Sequence, residues 1–140
     1  MAKLEISLYQ KDDGDGLARF KVAAENESFT GVTLVWGYAE MFDELASDLN
    51  GFPRSTSSKV LKQFGSPKVG QCDLSFYCID GSGHAVAWVK LEAEYPVHPT
   101  SNYESISMCV RVEPAAVDTF ASELRSLATG KSESATLYGS

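Results

Sequence analysis

The first third of the chain alternates between hydrophobic and polar residues. Leu4, Ile6 and Leu8 are separated by polar side chains, which is the two-residue period of a strand with one buried and one exposed face. Glycine and aspartate are concentrated at 11–16, where they favour a turn. The same alternation returns twice before residue 37. We therefore predict three strands, at residues 3–10, 17–25 and 29–36.

The hydrophobic period changes after the third strand. Met41, Leu45 and Leu49 are spaced four apart, so their side chains fall on one face of a helix. Gly51 is a typical residue just after a helix end. Residues 52–71 then contain prolines, glycines and a run of serine and threonine. This composition predicts a long connection within the domain.

The second half of the chain repeats this plan. Alternating hydrophobic residues predict two strands around a turn of aspartate, glycine and serine at 80–83, and a third strand follows. Pro114 suits the first turn of a second helix, and Gly130 suits the position after its end. The serine- and threonine-rich residues 131–140 are predicted to be a frayed, flexible tail.

These elements predict one α+β domain at residues 1–130. A chain of 140 residues with 44% hydrophobic content is the size of one core. Consecutive strands usually pair, and hairpins make neighbouring strands antiparallel. We therefore expect a single domain with a largely antiparallel sheet of about six strands and both helices on one face, in the order βββα–loop–βββα.

The charge of the chain argues against some classes of binding partner. It has 12 basic and 19 acidic residues and a formal charge of −7, so its own field opposes binding to nucleic acid. The first residues contain no apolar run of the kind that a signal peptide or a membrane span needs. We therefore expect a cytoplasmic protein that binds neither nucleic acid nor a membrane.

Few residues indicate catalysis or metal binding. Cys72, Cys78 and Cys109 form no CxxC pair, and we expect reduced residues of the sheet rather than a disulfide or a zinc site. His84 and His98 stand without the spacing of a metal or catalytic motif. The sequence therefore predicts no catalytic residue, no metal site and no cofactor, and a protein that is not an enzyme.

The most distinctive charge pattern lies on the first predicted helix. Residues 38–50 contain four acidic and no basic side chains, and three of the four recur at intervals of four on one helix face. Like charges at this spacing repel each other. They are either exposed to solvent or neutralised by a basic partner. The candidate partner-binding residues on this helix are Glu40, Asp43, Glu44 and Asp48.

Trp88 is a second candidate for partner binding. It alternates with Ala87 and Val89 in a predicted strand, so its side chain lies on the opposite face of the sheet from theirs. An aromatic residue on a half-exposed sheet is a suitable anchor for a partner protein. Burial of Trp88 beneath a helix is the competing interpretation.

The order of elements and several short segments resemble small bacterial proteins related to the WapI-type immunity proteins of polymorphic toxin systems. The resemblance spans most of the chain and is carried by structural residues. These are MFDELA at 41–46, the strand at 74–76, the turn and strand at 83–89, and Phe120 and Leu124 in the last helix. The resemblance implies a non-enzymatic protein that binds and blocks a cognate toxin.

Three functional hypotheses follow. The first is a protein-binding module, an immunity protein whose acidic surface meets a basic protein partner. The second is a small-molecule-binding protein or enzyme with a pocket between sheet and helices, where His84, Trp88 and a carboxylate such as Asp80 would meet. The third is a self-associating protein, in which a second copy covers an exposed strand face to form a homodimer.

Overall fold

The strands and helices of this chain follow the predicted order, with two additional strands. The computed structural model describes residues 2–94 and 104–140, which contain eight strands and two helices. His98 lies outside the described residues. The strands are β1 (Lys3–Gln10), β2 (Leu17–Glu25), β3 (Thr30–Tyr38), β4 (Lys59–Gly65), β5 (Val69–Cys78), β6 (Ala85–Glu94), β7 (Ser105–Val112) and β8 (Ser134–Tyr138). The helices are α1 (Glu40–Asp48) and α2 (Pro114–Ala128).

The fold is α+β, as predicted, but its strands form two sheets instead of one. The first four-stranded sheet has the order β3–β2–β1–β8, and the second has the order β4–β5–β6–β7. Neighbouring strands in both sheets are antiparallel. The strands that the sequence did not predict, β4 and β8, each complete one sheet to four strands.

Strand β4 occupies part of the segment predicted as a long connection, and that prediction is wrong. Its residues Val60, Lys62 and Phe64 share the face that packs inward, and the lysine between two hydrophobic residues hides the alternation. Gly70 then allows β5 to approach β3. It has a φ of 98°, and a Cβ at this position would overlap the Leu34 carbonyl oxygen.

Strand β8 replaces the predicted flexible tail, so the domain continues beyond residue 130. It pairs with β1, where Leu137 lies beside Leu4 and Ala135 beside Ile6. The side chains of Leu137 and Ala135 are 0% exposed. Two hydrophobic residues among serine and threonine are too few to predict a strand from the local sequence. Their pairing partner lies at the other end of the chain, and only the tertiary structure brings it close.

One hydrophobic core joins both sheets and both helices. Strand β3 packs against β4, β5 and β6, and the Thr33 hydroxyl donates a hydrogen bond to the Glu92 carbonyl at 2.7 Å. Helix α1 packs against α2 and β4, and α2 also packs against β8. The helices therefore contact both sheets, and the expected arrangement on one face of a single sheet is wrong. The buried Phe42 ring lies 4.7 Å from the Phe20 ring and 5.2 Å from the Phe64 ring, measured between centroids.

Candidate functional site

Helix α1 presents its four acidic side chains to solvent. Phe42, Leu45 and Ala46 are buried in the core, and all four carboxylate residues fall on the remaining, exposed part of the helix surface. Glu40 and Asp43 lie in the first turn, where the helix dipole stabilises negative charge. The helix therefore has a hydrophobic face toward the core and an acidic face toward solvent.

Only one of these carboxylates has an ion pair within the described residues. The Lys62 ammonium of β4 donates to the Glu44 carboxylate at 2.6 Å. The lysine side chain is 18% exposed and the glutamate side chain 68% exposed. Solvent screens such a pair, so its net contribution to stability is about 0–1 kcal/mol. Glu40, Asp43 and Asp48 remain exposed, with no ion pair to any described residue.

The acidic face of α1 runs along strand β4. The Phe42 ring contacts Phe64 near the end of β4, and Asp48 shares a cleft of about 320 Å³ with Lys59 at its start. The helix is therefore antiparallel to the strand. Four residues of a helix rise about 6 Å, and two residues of a strand rise about 6.6 Å. Carboxylates four residues apart on α1 therefore lie beside every second residue of β4. We call the three carboxylate residues of α1 that lie along β4 the acidic stripe: Glu40, Glu44 and Asp48.

Trp88 lies on a different surface from the acidic stripe. Ala87 and Val89 are buried in the core, whereas Trp88 points outward from the second sheet with 48% of its surface exposed. Burial beneath a helix is therefore the wrong interpretation of this residue. Leu61 of β4 lies in register with Trp88 across β5, on the same outer face, and is also exposed. The structure does not bring Trp88 to the acidic helix, and the two stay separate candidates for partner binding.

A second polar cluster joins the β5–β6 turn to the start of α2. His84 Nδ1 lies 2.6 Å from Asp80 Oδ2, and His84 Nε2 lies 3.6 Å from Glu113 Oε1. The Asp80 carboxylate also accepts hydrogen bonds from the backbone N–H groups of Ser82 and His84. The hydrogen bond to Asp80 raises the pKa of His84 above its ordinary value, and the same bond lowers the pKa of Asp80. The arrangement therefore favours a charged imidazolium between two carboxylates.

This cluster meets only part of the pocket hypothesis. The structure brings His84 and Asp80 together, as that hypothesis requires, but Trp88 lies elsewhere on the sheet. Glu113 joins the cluster through tertiary contact, which the local sequence does not indicate. The adjoining cleft has a volume of about 240 Å³. The imidazole contacts carboxylates of the β5–β6 turn and of the residue before α2, so the cluster links these two elements.

We expect the His84 cluster to make stability depend on pH. Because the pKa of His84 is raised in the folded protein, its contribution is complete below about pH 6.5 and is lost as pH rises through the raised value. Because the pKa of Asp80 is lowered, its contribution is complete above about pH 4 and is lost in stronger acid. Thermal unfolding of wild type and His84→Gln should therefore differ most between these two limits. A difference in melting temperature that stays constant up to about pH 9 would contradict this assignment.

The three cysteines and the two helices add no further site within the described residues. The three cysteines lie in strands β5 and β7, as predicted, and Cys72 is buried. Burial, with Asp73 beside it, raises the pKa of the Cys72 thiol, which makes it a poor nucleophile. Within the described residues, no group of three or more histidine, cysteine or carboxylate side chains is placed to hold a metal ion. In the same ranges, no helix is sufficiently long and apolar to span a membrane.

Comparison with known proteins adds no neighbour to this picture. No family model matches the chain, and neither a curated protein nor a solved structure matches it. The candidate site therefore rests on its own geometry and charge. The resemblance to WapI-type immunity proteins stays a prediction.

Proposed function

We propose that this chain is a non-enzymatic protein-binding module whose acidic helix recognises a basic partner, and that it acts as an immunity protein that blocks a toxin. One observation carries the proposal: Glu40, Asp43 and Asp48 are exposed on α1 without an ion pair to any described residue. Complementary charge speeds association with a partner and excludes partners of the same sign. The immunity role rests on the resemblance of the sequence to WapI-type proteins.

The local density of charge supports this proposal more strongly than the total charge does. Like charges three or four residues apart on a helix repel by up to a few tenths of a kcal/mol for each pair. Lys62 offsets the charge of Glu44, whereas Glu40 and Asp43, three residues apart, have no ion pair to a described residue and keep their repulsion. Basic side chains of a partner would remove that repulsion on binding, and the helix would then be stabilised by the complex. The chain as a whole carries a formal charge of −7, so its long-range field also attracts a basic protein.

Charge reversal on α1 tests the proposal. The partner in this experiment is the protein encoded next to the gene for this chain. In the triple variant Glu40→Lys, Asp43→Lys and Asp48→Lys, the pair between Glu44 and Lys62 is kept, so the contact of α1 with β4 is preserved. At low salt we expect its association rate constant to fall about tenfold or more. For the wild type, the rate should fall as salt rises, because ions screen the field.

A matched variant separates the acidic helix from net charge. Asp13→Lys, Glu27→Lys and Asp118→Lys change the total charge equally, at exposed positions outside α1. We expect this control to keep most of the wild-type association rate. Equal losses in the two variants would assign the effect to net charge. If the neighbouring protein forms no complex with the wild type, the immunity proposal is wrong.

A further inference from the structure

Strand β4 has one edge without a strand neighbour in the described part of the chain, because it pairs only with β5. At the two ends of this pair, the Cys78 N–H donates to the Ser58 carbonyl at 3.4 Å and the Ser66 N–H donates to the Gly70 carbonyl at 3.1 Å. Opposed residues in an antiparallel pair alternate between bonded and non-bonded positions, so the even-numbered residues of β4 bond to β5. The odd-numbered residues direct their backbone groups away from the sheet: Lys59, Leu61 and Gln63.

Each of the other three edge strands has a contact from another part of the described chain. On β7, the Asn26 side chain donates a hydrogen bond to the Cys109 carbonyl at 3.0 Å. On β8, the Thr136 N–H donates to the Glu123 carboxylate of α2 at 2.8 Å. Beside β3, the backbone of β5 comes so close that a Cβ on Gly70 would overlap the Leu34 carbonyl oxygen. Within the described residues, the outward edge of β4 has no strand partner, so its backbone donors and acceptors are available to an added strand.

The acidic stripe lies beside this edge, on the inner side of the sheet. Lys62 points to that side and reaches Glu44. A strand added to β4 would lie about 4.8 Å from it and would place alternate side chains on the same inner side, next to the stripe. Its remaining side chains would lie on the outer face beside Leu61, which is 58% exposed. The edge thus combines backbone hydrogen bonds with negative charge on one face and an apolar contact on the other.

We propose that the open edge of β4 binds an extended basic segment of the partner protein by strand addition. Hydrogen bonds to the outward backbone groups of β4 supply affinity, and alternate side chains of the segment supply specificity. Lysine or arginine at every second position faces the acidic stripe, and apolar residues between them pack on the outer face at Leu61. This inference rests on the proposed function, because the acidic stripe belongs to the same surface.

The distribution of charge argues against a second copy of this chain at this edge. If β4 paired with itself through its outward backbone groups, the two-fold axis would pass near Leu61. Lys62, which follows Leu61, is paired with Glu44, so the two acidic stripes would lie next to each other at that axis. Glu40 and Asp48, which have no ion pair to a described residue, would then be brought together from both copies. Like charges brought together repel, whereas a basic segment is attracted. The charge therefore selects a basic partner for this edge.

Amide hydrogen exchange, measured by NMR, tests the edge directly. The probe is a heptapeptide of alternating lysine and valine, and the comparison peptide replaces each lysine with glutamate. In the free protein, the Lys59, Leu61 and Gln63 amides should exchange rapidly, while the Val60 and Lys62 amides are protected by β5. The lysine peptide at saturation should slow exchange at the three outward amides about tenfold or more. The glutamate peptide should leave them unchanged.

A proline substitution separates backbone binding from charge attraction. Gln63→Pro removes one outward N–H but no bond to β5, a position at which an edge strand tolerates proline. Gln63→Thr keeps that N–H and is the matched control. We expect Gln63→Pro to weaken lysine-peptide binding about two- to tenfold, the worth of one hydrogen bond, and Gln63→Thr to bind as the wild type does. Thermal unfolding checks that both variants fold.

Several outcomes would overturn strand addition. These are slow exchange of the outward amides in the free protein, equal binding of the two peptides, no binding of the lysine peptide, and equal binding by Gln63→Pro and Gln63→Thr. If peptide-induced changes are confined to α1, strand addition is wrong while charge recognition by the helix stands. A concentration-dependent dimer in sedimentation, with the outward amides protected, would assign the edge to a second copy.

Discussion

Removal of residues 131–140 will abolish the cooperative unfolding transition of this protein. The deleted segment contains β8, which covers the edge of β1 and packs against α2. Ala135 and Leu137 are completely buried, so the truncation removes them from the core and exposes Leu4 and Ile6 to water. Circular dichroism during urea denaturation should show a broad transition or none.

Single substitutions separate the packing of β8 from the length of the chain. Leu137→Ala should lower the free energy of unfolding by about 2–5 kcal/mol, because it leaves a cavity in the core. Tyr138→Ala is the adjacent control. Its side chain is 54% exposed, and we expect a change of less than about 1 kcal/mol. A truncated protein that unfolds cooperatively with full stability would restore the interpretation of these residues as a flexible tail.

Phe42→Ala should be the most destabilising single substitution in α1, lowering the free energy of unfolding by about 3–5 kcal/mol. The Phe42 side chain is 0% exposed and its ring contacts Phe20 of the first sheet and Phe64 of the second. The substitution therefore opens a cavity where the helix meets both sheets. Urea denaturation monitored by fluorescence measures the change.

The neighbouring residue provides the control for this prediction. Asp43→Ala changes an exposed side chain of the same helix and should alter the free energy of unfolding by about 0.5 kcal/mol or less. A double-mutant cycle between Phe42→Ala and Phe20→Ala should give a coupling energy of about 0.5–1.5 kcal/mol for the ring pair. Equal effects of Phe42→Ala and Asp43→Ala would show that α1 is loosely attached to the core.

The candidate site was predictable in composition but not in arrangement. The four-residue spacing of Met41, Leu45 and Leu49 predicts a hydrophobic face opposite the carboxylates of α1, and in the structure these carboxylates are exposed. The pair between Glu44 and Lys62 was not predictable, because the lysine lies in a segment whose composition indicated a loop. Trp88 is exposed because the core covers the opposite face of the second sheet. The alternation of residues along β6 does not show which of the two faces is covered.

By itself, the sequence determined the elements whose hydrophobic period is strong and local. The alternation of Leu4, Ile6 and Leu8 and the four-residue spacing in α1 each depend on the chain's own geometry, so strand and helix follow without knowledge of neighbours. Only the tertiary structure decided that β4 and β8 are strands and that there are two sheets. Their hydrophobic residues are few, and their burial depends on partners distant in the chain. The same long-range pairing leaves one edge of β4 open beside the acidic helix, and the proposed recognition of a basic strand depends on that placement.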